Sequence, residues 1–143
     1  MQFSLTGEHP EEFSIALRIP GWAGPGASML VNDKPVPDLI APGSFLSVHR
    51  KWKNGDRILL RLPMSLRLEA VDEQHPDTVA LLYGPLVLFA VDAAPPSVTR
   101  SQLLAAYPKD RGEWAVNTAG GSLRLLPFQA IGETQYSTYF KVV

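Results

Sequence analysis

The chain has 143 residues, with 13 Lys and Arg against 14 Asp and Glu and therefore a formal charge of −1. An apolar share of 45% and a charged share of 19% are ordinary for a folded globular chain and unlike a disordered one. The balanced charge excludes the basic surplus typical of nucleic-acid binding, and the lack of cysteine excludes disulfides, thiol nucleophiles and cysteine-based metal sites. The length predicts one domain, over residues 2–143.

No stretch of the sequence is apolar over the length that a membrane span needs. The longest uncharged apolar run, residues 79–91, has thirteen residues, whereas a spanning helix needs about 20. Residues 1–13 contain acids and no apolar segment, so they predict no signal peptide. Because no apolar run is long enough to span a membrane, we expect no membrane partner. Because strand-like sequence follows the initiator Met at once, we expect that the chain was cut from a longer one.

The first third of the chain predicts short strands, because proline and glycine interrupt it too often for typical helices. Large apolar residues at the odd positions of 13–19 alternate with small or polar ones, which is typical of a strand with one buried face. Residues 28–32 and 44–52 predict two more strands, with a turn at Asn32-Asp33 after the first of them.

The clearest local turn signal is Lys53-Asn54-Gly55-Asp56. Asn-Gly supplies the positive φ angles that a tight turn needs, so this stretch predicts a hairpin between strands 44–52 and 57–62.

The rest of the chain also favours strands over helices. Two segments around Gly84-Pro85 are apolar on both faces, as in strands that lie between two layers. A linker-like stretch at 93–96 precedes residues 101–106, which predict one or two helical turns with Ser101 as the cap. The further strands are predicted at 66–70, 78–83, 86–91, 114–117, 122–126 and 137–142. The sequence thus predicts an all-β fold, a β-sandwich or jelly roll with at most one short helix.

Three tryptophans are the candidate carbohydrate-binding residues, because exposed aromatic rings stack on sugars. Trp22 follows Pro20-Gly21 at a strand end, Trp52 precedes the Asn54-Gly55 turn, and Trp114 begins a predicted strand. Aromatic residues at strand ends also cap a sandwich core or pack on a neighbouring domain. Both interpretations stay open for all three.

Acidic residues and histidines provide no clear catalytic or metal-binding pattern. Glycosidases usually hold two carboxyl groups about 5–10 Å apart, one of them with a raised pKa. The close carboxylate pairs are predicted to lie in loops, where solvation is the rule: Glu11-Glu12, Asp72-Glu73 and Asp72 with Asp77. The histidines lack the short spacing of a zinc motif: His9, His49 and His75. We therefore predict no catalytic residue and no metal site.

Several stretches occur together in one order along most of the chain. They are Phe13-Ser-Ile-Ala-Leu-Arg-Ile-Pro-Gly-Trp-Ala23, Val31-Asn32, Arg50-Lys-Trp-Lys-Asn-Gly-Asp56, Leu60-Arg-Leu-Pro-Met64 with Arg67, Val79-Ala-Leu-Leu-Tyr-Gly-Pro-Leu-Val87, and Leu126-Pro-Phe128 with Tyr136-Ser-Thr-Tyr-Phe140. In this order and spacing they resemble the C-terminal β-sandwich region of glycoside hydrolase family 127, a family first catalogued as a domain of unknown function.

The resemblance implies a β-L-arabinofuranosidase-like parent enzyme whose (α/α)6 barrel precedes the sandwich. In that family the barrel carries a zinc site with cysteine and glutamate ligands, and one cysteine is the nucleophile. Since this chain has no cysteine, none of those residues carries over, and no cofactor is expected in this chain.

We therefore expect a non-catalytic accessory domain of a glycoside hydrolase, a fragment without its barrel. Its partner would be the upstream catalytic barrel of the same polypeptide, which it supports, or a second copy in an oligomer. One alternative is a free-standing carbohydrate-binding module that uses Trp22, Trp52 or Trp114. Another is a small hydrolase that uses the loop carboxylates.

Overall fold

A computed structural model describes residues 1–37, 41–91 and 97–143. The chain forms two compact units, Met1–Met64 and Ser65–Val143. Within the described ranges, no helix has the length and apolar character to cross a membrane. The linker-like stretch predicted at 93–96 lies outside the described residues, and the assignment of 2–143 to one domain stays a prediction.

The described residues of the first unit form six strands. They are β1 Gln2–Ser4, β2 Glu11–Arg18, β3 Ser28–Val31, β4 Lys34–Pro35, β5 Phe45–Trp52 and β6 Arg57–Arg61. Four of them form an antiparallel sheet in the order β1-β6-β3-β4, and β2 pairs antiparallel with β5 to form a separate two-stranded sheet. The predicted strands at 13–19, 28–32, 44–52 and 57–62 are confirmed, with ends that differ by one or two residues.

The core of the first unit takes side chains from both of its sheets. Ile15 and Leu17 of β2 pack against this core, as the alternating pattern predicts, whereas the intervening Ser14 and Ala16 are exposed. The buried members are Ile19, Ala23, Met29, Val31, Leu46, Trp52, Ile58 and Leu60. Two sheets with one shared core make this unit a small sandwich.

The predicted hairpin between β5 and β6 is wrong, although its turn forms. Gly55 has the expected positive φ of 85°, and the amide of Asp56 donates to the carbonyl of Lys53 at 3.1 Å. However, β5 pairs with β2, whereas β6 pairs with β1 and β3. The turn therefore passes the chain from one sheet to the other, because turn chemistry determines the local reversal and long-range pairing determines the partner.

The described residues of the second unit form eight strands, one α-helix and two short 3-10 helices, Asp110–Gly112 and Phe128–Ala130. The strands and the α-helix are β7 Leu66–Ala70, β8 Thr78–Tyr83, β9 Leu86–Val91, α1 Arg100–Leu104, β10 Tyr107–Pro108, β11 Trp114–Thr118, β12 Gly121–Pro127, β13 Tyr136–Ser137 and β14 Tyr139–Lys141. All strands join one antiparallel sheet in the order β10-β11-β12-β9-β8-β14, with β7 also paired to β8 and β13 to β9. The predicted strand 137–142 is two short strands, because the chain leaves β9 and joins β8 at this point.

The second unit has its own core, which lies against the β8–β9 hairpin. Gly84, with a φ of 54°, and Pro85 form the two-residue loop of that hairpin. Leu81 and Leu88 face each other across it and are fully buried. The other buried members of this core are Val79, Ala90, Val98, Leu103, Ala106, Val116, Leu123, Leu125, Phe140 and Val142.

The predicted short helix exists, but its cap is not Ser101. Thr99 is the N-cap: its hydroxyl accepts from the amide of Gln102 at 3.1 Å, and the Gln102 side chain accepts from the amide of Thr99 at 2.8 Å. This reciprocal capping box fixes the start of α1 two residues earlier than predicted. Leu103 then points into the core of the second unit. The prediction of an all-β, sandwich-like fold with at most one short helix is confirmed.

Candidate functional site

The three candidate tryptophans lie in two different units and are largely packed. Trp52 is only 2% exposed, and its indole N–H donates to the carbonyl of Phe13 at 3.0 Å. Trp22 is half-buried against the core of the first unit. Trp114 packs against the core of the second unit and contacts Tyr83, with ring centroids 4.7 Å apart. Carbohydrate binding by these three residues stays a prediction.

A groove of about 400 Å³ opens in the first unit, where β2 begins and β5 ends. Two backbone hydrogen bonds tie its two walls together: Leu5 donates to the carbonyl of Asp56 at 2.9 Å, and Gly55 donates to the carbonyl of Leu5 at 3.0 Å. The groove is lined by Leu5, Thr6, Gly7, Glu8, His9, Glu11, Phe13, Trp52, Lys53 and Asn54.

The Lys53-Asn54-Gly55-Asp56 turn, which forms one wall of the groove, is held by the buried carboxylate of Asp56. Asp56 is 2% exposed and accepts from the side-chain amide of Asn32 at 2.8 Å and from the backbone amide of Lys53 at 3.0 Å. The hydrogen bond from Asn32 lowers the pKa of this carboxyl, and the bond from Lys53 and the charge of Arg50, 3.8 Å away, lower the pKa further. A charged, fully bonded Asp56 therefore fixes the turn in place.

The floor of the groove is aromatic and its rim is polar. Phe13 is 41% exposed, and its ring centroid lies 6.2 Å from that of the buried Trp52. The rim carries two carboxylates, Glu8 and Glu11, against one ammonium group, that of Lys53. The rim is therefore acidic on balance, with several hydrogen-bonding groups around one exposed ring.

Strand pairing brings together a serine, a histidine and a carboxylate that sequence spacing did not reveal. The Oγ of Ser14 lies 3.0 Å from His49 Nδ1, and His49 Nε2 lies 3.2 Å from Glu12 Oε1. Ser14 faces His49 directly across the β2–β5 ladder. These two residues, 35 positions apart in sequence, meet because of this register. The alternating pattern of each strand predicts the contact only when the two strands are known to pair.

This hydrogen-bond chain has the order of a nucleophile, a base and an orienting carboxylate. All three side chains are exposed on the outer face of the two-stranded sheet, and none of them lines the groove. Acyl transfer needs a substrate pocket and donors for the oxyanion beside the nucleophile. On an open strand face, the arrangement serves instead as cross-strand pairing between β2 and β5.

Asp72 and Asp77 of the second unit are engaged by basic partners. Glu11 and Glu12, predicted to lie in a loop, begin strand β2 instead. Asp72 accepts from the backbone amide of His75 and lies 2.7 Å from its Nδ1. Asp77 forms an ion pair with Lys141, and the hydrogen bond from that ammonium group lowers the pKa of the carboxyl. A general acid needs a raised pKa, so Asp77 is unsuited to that role.

The described residues do not provide the ligand set of the zinc site that the family resemblance implies. The zinc site that the family resemblance implies for a parent barrel uses cysteine ligands, and the chain has none. Among the residues that the structure describes, no three His, Asp or Glu side chains come together to hold a metal ion. The three histidines are separated accordingly: His9 lines the groove, His49 lies on the strand face, and His75 pairs with Asp72.

Comparison with known proteins gives one matching family model. Residues 1–64, the first unit, match the model described as "Beta-L-arabinofuranosidase, GH127 middle domain". The predicted resemblance to this family is thereby confirmed, and the part of the family that matches is its middle domain. A search of curated protein sequences gives no match.

Solved structures share the fold over 99% of this chain. A GH127 β-L-arabinofuranosidase from Geobacillus stearothermophilus T6 is 23% identical with a TM-score of 0.74, and a second GH127 β-arabinofuranosidase is 21% identical with a TM-score of 0.69. A third, described as a glycoside hydrolase, is 18% identical with a TM-score of 0.73. The chain spans only 28–30% of the length of these three proteins.

Proposed function

We propose, from the match of residues 1–64 to the family model of the GH127 middle domain, that the chain is a non-catalytic accessory region of a larger glycoside hydrolase. The parent enzyme would be β-L-arabinofuranosidase-like. The observation that carries the proposal is the extent of the structural match, which covers 99% of this chain but less than a third of each neighbour. The catalytic barrel would occupy the remaining length.

The chemistry of the described side chains supports a role outside catalysis. The chain lacks the cysteine that the family's zinc and nucleophile chemistry requires. Two carboxylates with altered pKa values, Asp56 and Asp77, are stabilised in the charged form, and this is the opposite of what a general acid needs. The chain would support the barrel mechanically or contribute contacts between copies of the enzyme.

A core substitution in the full-length parent tests this supporting role. Leu60 is 2% exposed in the core of the first unit, so Leu60→Ala should cost about 2–5 kcal/mol of unfolding free energy. We expect a lower melting temperature for the parent enzyme and an unchanged kcat well below that temperature. Lys34→Ala, on the exposed strand β4, is the matched surface control and should change neither quantity.

Two results would contradict the proposal. If Leu60→Ala lowered kcat a hundredfold without changing the melting temperature, the unit would take part in the reaction. If the catalytic barrel of the parent melted at the same temperature with and without Leu60→Ala, the unit would not support it.

A further inference from the structure

We propose that the groove of the first unit binds a neutral sugar residue, with the exposed ring of Phe13 as the stacking platform. This inference stands on the geometry of the groove and does not depend on the proposed accessory role. The groove volume of about 400 Å³ lies in the lower part of the range for small-molecule sites. That size suits one or two sugar rings.

Phe13 is the aromatic side chain that the groove offers to a ligand. It is 41% exposed, whereas Trp52 behind it is 2% exposed. The ring of Trp52 lies 6.2 Å from that of Phe13, and its indole N–H bonds the Phe13 carbonyl, so both the side chain and the backbone of Phe13 are supported from below. The apolar C–H face of a sugar ring packs well on such an aromatic surface, and a fixed platform lowers the entropy lost on binding.

The rim of the groove favours a ligand that is rich in hydroxyl groups and uncharged. Glu8 and Glu11 are acceptors, Lys53 is a donor, and the side-chain amide of Asn54 is both. Hydroxyl groups of a sugar match this mixed set. Two carboxylates against one ammonium group repel phosphates, uronic acids and other anions.

The turn that forms one wall of the groove is preorganised. Leu5 is bonded through its backbone to Asp56 and Gly55, and Asp56 is in turn held by the side chain of Asn32 and the amide of Lys53. The hydrogen-bonding groups of Lys53 and Asn54 are therefore presented from an ordered turn. Affinity for a single small sugar in an open groove is expected on the order of millimolar.

The test is an NMR titration of the isotopically labelled 143-residue chain with L-arabinose and, separately, D-galactose. We expect saturable amide shifts centred on residues 6–9, Phe13 and residues 53–55. Phe13→Ala should weaken binding at least tenfold, and Phe13→Trp should retain binding because it keeps an aromatic face. Phe13→Leu keeps an apolar side chain without the ring and should behave as Phe13→Ala, which separates stacking from a folding defect.

Phe45→Ala is the matched control, because Phe45 is also an exposed aromatic of the β2–β5 sheet, 61% exposed, and does not line the groove. The affinity of the Phe45→Ala variant for each neutral sugar should equal that of the unaltered chain. Glucuronate should bind at least tenfold more weakly than either neutral sugar. The proposal is overturned by any of three results: absence of saturable shifts at tens of millimolar of both sugars, equal weakening by Phe45→Ala, or equal binding of glucuronate.

Discussion

Asn32 links the turn that follows β3 to the turn that precedes β6. Its backbone has a φ of 50°, its side-chain amide donates to Asp56 at 2.8 Å, and its Oδ1 accepts from the amide of Arg57 at 2.9 Å. Asn32→Gly keeps the left-handed conformation and removes both side-chain bonds. Asn32→Ala removes the same bonds and adds the steric cost of a Cβ at positive φ.

The magnitudes follow from the two bonds. The bond to the exposed Arg57 amide is replaced by water in the variant, so its loss costs about 1 kcal/mol, and the bond to the charged, buried Asp56 is worth about 1.5–3 kcal/mol. We therefore expect Asn32→Gly to lower the free energy of unfolding of the first unit by about 3 kcal/mol. Asn32→Ala should lower it by about 1–2 kcal/mol more.

Urea unfolding followed by tryptophan fluorescence measures these differences. The Trp114→Phe background leaves Trp22 and Trp52, which both belong to the first unit, as the reporters. Asp33→Gly tests the neighbouring positive φ of 64° without touching the bonds of Asn32 and should be much milder. The reasoning is refuted if Asn32→Gly matches the unaltered chain within about 0.5 kcal/mol, which is the size of ordinary surface effects, or if Asn32→Ala is no worse than Asn32→Gly.

Two further predictions concern acid sensitivity and the helix cap. The folded state lowers the pKa of Asp56 and Asp77. Both carboxylates therefore contribute stability at pH values above their unfolded-state pKa of about 4, and this stability is lost as the pH falls through the lower folded-state pKa values. Asp56→Asn should flatten the acid side of a profile of melting temperature against pH, and an unaltered acid side would contradict this. Thr99→Ala should destabilise the second unit by about 1 kcal/mol through loss of the capping box, whereas Ser101→Ala should leave the melting temperature nearly unchanged. If Ser101→Ala were the more destabilising of the two, Ser101 would be the cap.

Local patterns in the sequence predict much of this fold. The strands at 66–70, 78–83 and 86–91 have the predicted bounds, because alternation, short apolar runs and a Gly-Pro loop are properties of neighbouring residues. The positive φ angles at Asn32-Asp33 and at Gly55 also follow from residue type. What these patterns predict is the conformation of short segments.

Strand partners are not a local property, and there the prediction failed. The Asn54-Gly55 turn has the form expected, yet β5 and β6 belong to different sheets. A strand takes the partner that completes a core, and that choice depends on residues far along the chain. For the same reason the sequence did not predict the contact between Ser14 and His49, because this contact arises from the β2–β5 register alone.

The groove was missed for a related reason. Sequence reasoning singled out tryptophan as the sugar platform, whereas in the groove the indole of Trp52 is buried beneath the more exposed Phe13. Exposure at a strand end depends on which neighbouring segment covers the ring. Here the loop after Leu5 leaves Phe13 open, and nothing in the residue types near Phe13 indicates this.

We predict that this chain carries no glycosidase activity of its own, and an assay of the purified 143 residues tests this directly. The chain and its full-length parent are incubated side by side with nitrophenyl arabinofuranosides, with and without added zinc. We expect turnover by the parent and none by the isolated chain in either condition. Turnover by the isolated chain that survives purification and is lost in Asp72→Asn or Asp77→Asn would contradict it.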